Sequence, residues 1–97
     1  MNHFVLNLDD VYGELERMKV EADSVTYLNE LLEQCANLIA KTFTRNHYAI
    51  KALQSTWKKR LNAVAEIDPH LPSRLHELEH IRQGILNEIY SLLNFGI

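Results

Sequence analysis

Both prolines of the chain fall within one short stretch, "DPHLPS" from Asp68 to Ser73, and on either side of it apolar residues recur every three or four positions. That spacing lines them up along one face of an α-helix, so a chain that holds it for so long without a breaker is confined to a helical fold. From Asp9 to about Phe43 the stripe runs through Val11, Leu15, Met18, Ala22 and Val25, then Leu28, Leu32, Cys35 and Ile39. Asn7 or the aspartates that follow can cap its start, because oxygen acceptors near a first turn satisfy its unpaired amides and complement the helix dipole. Gly13 is an internal weak point.

The two halves of that first segment do not share a register. Ala22 to Val25 to Leu28 are both steps of three, which rotates the stripe, and the rotation coincides with "EADSVT", where Asp23 or Ser24 could cap a new helix. A kink or split near Asp23 is expected. Helix spacing resumes after "TFTRN", with Thr44 or Asn46 as cap, through Ile50, Leu53, Trp57, Arg60, Val64 and Ile67. Asp68 before a proline is biased away from helical angles, and Pro72 is acceptable only in a first turn, so the next helix starts near Ser73. It runs to about Asn94 through Leu75, Leu78, Arg82, Ile85, Ile89 and Leu92, with Ile81, Leu86 and Leu93 widening its apolar face.

The expected architecture is therefore all-α, a single domain over residues 1–97: an antiparallel bundle of three long helices, or of four if the first is split near Asp23. A hydrophobic fraction of 46% with three Gly and two Pro is too apolar for a disordered chain and too poor in turn residues for a many-stranded sheet. At about 1.5 Å per residue the unsplit first helix would be roughly 50 Å long, against about 32 Å for each of the others. The excess must fold back or pair with a second copy or a partner. No run approaches the roughly 18 apolar residues of a membrane span. A lone Cys35 and a start that meets Asp9 and Asp10 before any signal-length apolar run lead to the expectation of a soluble, cytoplasmic protein.

One motif bears on catalysis. "HELEH", His76 to His80, fits HExxH, in which histidines four apart on a helix share a zinc ion and the intervening Glu polarises its water. The context argues against a zinc hydrolase. Gln83 and Leu86 stand where the extended pattern needs glycine and histidine, and no helix follows to bring a distant third ligand. The residues fall on the arc away from Leu75, Leu78 and Ile81, so the motif reads as a solvated helix face, with no metal, cofactor or catalytic residue assigned. "RLHELEH", from Arg74 to His80, resembles the arginine and histidine pairing of helical HEPN-type ribonucleases over these seven residues. Leu75 stands where a polar residue commonly follows that arginine, and no activity is carried across.

Charge is distributed in thirds. Residues 1–33 carry eight acids and two bases, residues 34–65 six bases and no acid, and residues 66–97 five acids and two bases, giving -6, +6 and -3. A basic helix between acidic ones is explained by flanking ion pairs that favour one arrangement of neighbours. The alternative is a surface for phosphates or an acidic protein at Lys51, Lys58 and Lys59. Trp57, on the seam with Leu53 and Leu61, reads as core and not as a stacking platform. Arg60 and Arg82 occupy seam positions, where each either snorkels its head to water or meets an acid of the first helix or of a partner and fixes register.

Apolar tails complete the reading: Phe4, Val5, Leu6 and Leu8 precede the first helix, and Phe95 and Ile97 follow the last. They either cover each other within the chain or form a contact patch. The function expected from this set is stoichiometric binding of another protein, as by an inhibitor, immunity protein, antitoxin, chaperone or adaptor, with homodimerisation possible. Phe4, Leu6, Phe95 and Ile97 would supply affinity, and charge would select the partner. Nucleic-acid binding through Lys51, Lys58 and Lys59 is the alternative, and a hydrolase built on the His76 to His80 helix the minor one.

Overall fold

The computed structural model describes residues 7–42 and 50–95. Among the described residues there are four helices and no strand: α1 (Leu8–Arg17), α2 (Ser24–Thr42), α3 and α4 (Pro72–Phe95). Helix α3 is composite, a π-helical segment Ala52–Trp57 that passes directly into α-helix Lys58–Ala65. The expected first helix is thus two helices.

Each boundary has a local cause. Asn7 caps α1 reciprocally: the Asp10 amide donates to Asn7 Oδ1 at 3.0 Å, and the Asn7 amide to Asp10 Oδ2 at 3.2 Å. The helix stops at Met18, whose extended backbone still donates to the Glu14 carbonyl at 3.0 Å. The intervening loop is tied to α2 by Ser24, whose buried hydroxyl accepts from the Glu21 amide at 2.8 Å. The steps of three between Ala22 and Leu28 mark this break, since the stripe of α1 ends at Leu15 and that of α2 begins on a new axis at Val25 and Leu28. Pro72 opens α4 from within its first turn, as its missing amide requires.

The core is one cluster built from all four helices: Leu8, Val11 and Leu15 of α1; Leu28, Leu31, Leu32, Cys35 and Ile39 of α2; Leu53, Leu61 and Val64 of α3; Leu78, Ile81, Ile85, Ile89 and Leu92 of α4. Each such side chain contributes about 1.5–3 kcal/mol by leaving water. Leu8, expected before the first helix, is its first residue and is buried. Tyr27 of α2 joins α1 through its phenol, which donates to Glu14 Oε2 at 2.6 Å; burial and that carboxylate push its pKa up.

The seam between α3 and α4 is organised by Trp57. Its indole presses against α4 at Gly84, where a Cβ would stand 2.1 Å from Cη2, and its Nε1 donates to Glu88 Oε1 at 2.8 Å. Trp57 is therefore half-buried at the helix junction, packed against the core and not enclosed by it. The π segment precedes it directly: the Lys58 amide reaches back to the Leu53 carbonyl, five residues earlier, so the wider turn rotates Trp57 relative to a regular helix. Burial raises the Glu88 carboxyl above the usual range, and the indole N–H offsets part of that.

Arginines close the open helix ends. Arg82 donates to the Leu15 carbonyl in the last turn of α1 at 2.7 Å and grips Glu79 through Nε and Nη2 at 2.8 and 2.6 Å. Its side chain is only 12% exposed, and the acid it grips lies on its own helix; the first helix offers the Leu15 backbone oxygen as a hydrogen-bond partner and the Glu16 carboxylate as a nearby charge. Arg60 takes the other course: more than a third exposed, it reaches Glu77 Oε2 at 3.4 Å and lies 5.3 Å from the Trp57 ring centre.

Candidate functional site

Two positions expected on the apolar face of α4 are instead exposed, Leu75 at 41% and Leu93 at 39%. Geometry explains it. Leu75 and Leu93 are eighteen residues apart, five full turns, so with Arg82 and Leu86 they share one line along α4. That line is the side on which α1 packs, since Arg82 bonds α1 and Leu86 is buried. Ten residues of α1 make about 15 Å of cover, against about 36 Å for α4, so both ends of the line protrude. Beside the protruding leucines lie Leu71, 50% exposed, and Tyr90, 51% exposed. The result is two apolar pairs, Leu71 with Leu75 and Tyr90 with Leu93, one towards each end of α4. Neither Leu71 nor Tyr90 stands out in the sequence; the place of Leu71 in a proline turn is the one signal that could have found it, and Tyr90 carries none.

Of the residues expected to bind a partner, Phe4, Leu6 and Ile97 lie outside the described residues, as does the side chain of Phe95, whose backbone ends α4. Lys51 and Lys59 are exposed. Lys58 is bound to Glu33 of α2, and Arg60 to Glu77 of α4, so the basic helix does exchange ion pairs with acidic neighbours on both sides. Lys58 and Glu33 also close one side of a shallow, open groove of about 580 Å³ between α2 and α3, lined with Thr26, Asn29, Glu30, Gln34 and Asn62. All of its lining residues carry polar or charged ends, though their carbon stems make up most of its surface. The side-chain oxygens of Asn29 and Gln34 are buried with no hydrogen-bond partner among the described residues.

The "HELEH" turn is solvated. His76 and His80 are exposed, while Glu77 and Glu79 are drawn away to Arg60 and Arg82. The arginine beside Glu79 holds its carboxyl below the usual carboxylate range. No group of three or more potential metal ligands occurs among the described residues. Arg74, the arginine of the HEPN-like pair, is committed to backbone: Nε donates to the Ala22 carbonyl at 2.8 Å and Nη1 to that of Ile67 at 2.7 Å, with longer contacts to Val64 and Ala65. It ties the α1–α2 loop and the end of α3 to α4. Cys35 is enclosed, and burial pushes its thiol up to about 12, which leaves no thiolate for nucleophilic chemistry.

No described helix is long and apolar enough to cross a membrane. Comparison with protein-family models, with curated proteins and with solved structures found no match.

Proposed function

We propose that the protein acts by binding another protein stoichiometrically, in the manner of a small inhibitor, immunity protein, antitoxin, chaperone or adaptor. The observation that carries this reading is the pair of uncovered apolar patches at the two ends of α4, four large side chains each 39–51% exposed on a chain of 97 residues. Large apolar side chains that cluster at the surface lower their free energy by being covered, and a rigid helix presents them without an ordering cost. Exposed charges around them, Lys51 and Lys59 among them, tune partner choice and association rate more than affinity. The bundle is antiparallel in this reading: Trp57 meets Glu88, Arg60 meets Glu77 and Val64 meets Arg74, partner numbers falling as the chain advances. An intracellular setting is part of it, with Cys35 kept as a thiol.

Affinity purification of the full chain from its source cell, quantified by mass spectrometry, should return one protein at near one copy per chain. Leu71→Asp with Leu75→Asp, or Tyr90→Asp with Leu93→Asp, should abolish recovery and leave the circular dichroism spectrum unchanged. A second copy of the chain would be that partner if light scattering gives a dimer that the same variants dissociate. Recovery of nucleic acid instead, lost with salt and with Lys51→Glu and Lys59→Glu, would replace this proposal with the phosphate-binding one.

A further inference from the structure

His76 and His80 stand four residues apart on an unbroken α-helix, both exposed, with no Pro or Gly between them to disturb the turn. Residues at that spacing lie on one face with their Cβ atoms about 5–6 Å apart, within reach of a common ion. We propose that the pair is a bidentate site for a borderline transition-metal ion, Zn²⁺, Ni²⁺ or Cu²⁺, on the outer face of α4.

Neighbouring side chains define the kind of site. Glu77 is turned to Arg60 at 3.4 Å, and Glu79 is held by both Arg82 nitrogens at 2.6 and 2.8 Å and by Gln83 at 3.4 Å. Neither carboxylate is free to complete a coordination shell or to activate a water. Imidazole nitrogens are what remain, and they suit Zn²⁺, Ni²⁺ and Cu²⁺, whereas Mg²⁺ and Ca²⁺ require oxygen donors. Affinity follows the usual order for such donors, Cu²⁺ above Ni²⁺ and Zn²⁺. The site binds and does not hydrolyse: two protein ligands leave the ion's other positions to water or to donors from a second molecule. It costs the fold nothing, because both rings already face solvent.

The test is calorimetric titration of the full, untagged chain with ZnCl₂, repeated with CuCl₂ and MgCl₂ in a non-coordinating buffer. One Zn²⁺ per chain is expected, with tighter Cu²⁺ and no Mg²⁺ binding. His76→Ala or His80→Ala should each weaken binding about a hundredfold, the low end of what a linked second site adds to the first. The helical circular dichroism signal should be unchanged, since both residues are exposed. H80A/Q83H keeps two histidines on the helix but sets them seven residues apart, about 10.5 Å along the axis, too far to chelate. It should bind as weakly as the single variants. Undiminished affinity in either single variant or in H80A/Q83H, or no Zn²⁺ uptake by the unmodified chain, would overturn the assignment.

Discussion

Gly84→Ala tests the seating of Trp57. In a helix interior this substitution ordinarily stabilises, by about 1 kcal/mol, because alanine loses less backbone freedom. Here the new methyl would stand 2.1, 2.6 and 2.7 Å from three carbons of the indole, a rigid ring that cannot bend aside. Forcing a methyl into such a contact costs about 1–3 kcal/mol. Displacing the ring also lengthens the bond from Nε1 to Glu88, one of the charged kind worth about 1.5–3 kcal/mol. With that bond stretched but only partly lost, and the helix gain set against both costs, the net expectation is a loss of about 2 kcal/mol. For a domain of this size that lowers the melting temperature by about 8–16 °C. In a Trp57→Leu background the obstacle is gone, and the same Gly84→Ala should stabilise by up to about 1 kcal/mol. Urea denaturation followed by circular dichroism for the four proteins of this cycle gives both numbers. A stabilised Gly84→Ala in the unmodified background, or the same sign in both, would refute the packing of α3 on α4 described above.

Other outcomes follow from individual groups. Glu88 has its folded pKa raised by burial, so between the ordinary carboxylate range near about 4.3 and that raised value the folded state holds more protons than the unfolded one. Stability should therefore fall as pH rises through that window; Glu88→Gln, which keeps an oxygen for the indole, should remove the fall and be the more stable protein at pH 7. Glu79 behaves oppositely, its lowered pKa contributing stability that is lost as pH drops through the folded value, and this acid limb should persist in Glu88→Gln and vanish in Arg82→Met. Arg82→Met should also cost about 1.5–3 kcal/mol in urea denaturation, with Arg82→Lys a poor rescue because an ammonium lacks the fork that spans Leu15 and Glu79. Cys35 should react with a thiol reagent no faster than the chain unfolds, and rapid labelling under native conditions would contradict its enclosure.

Helix class, the split near Asp23 and the boundary at Pro72 were legible because breakers and three-and-four steps act locally. Arg82 on the seam was visible as an anomaly, but its partner was not: a backbone carbonyl carries no mark in a sequence, and neither did the Ala22 and Ile67 carbonyls that hold Arg74. The π segment was hidden for a related reason, since a run of three-and-four steps from Leu53 to Val64 looks the same whether one turn holds an extra residue or not. Gly84 could have been read only by knowing that Trp57 lies across it. The exposure of Leu75 and Leu93 depends on the length of α1, which the sequence left open between one long helix and a short one. The surface was least accessible of all, because a periodic stripe reports which side of a helix is apolar and not how much of it a neighbour covers.

Under the proposed function, another protein sits on the uncovered ends of α4. A photo-crosslinking residue placed in turn at positions 75, 90 and 63, the last an exposed alanine on α3, tests it in the source cell. One discrete protein adduct is expected from position 75 or 90 and none from 63. No adduct from either α4 position, or the same adducts from 63, would contradict it.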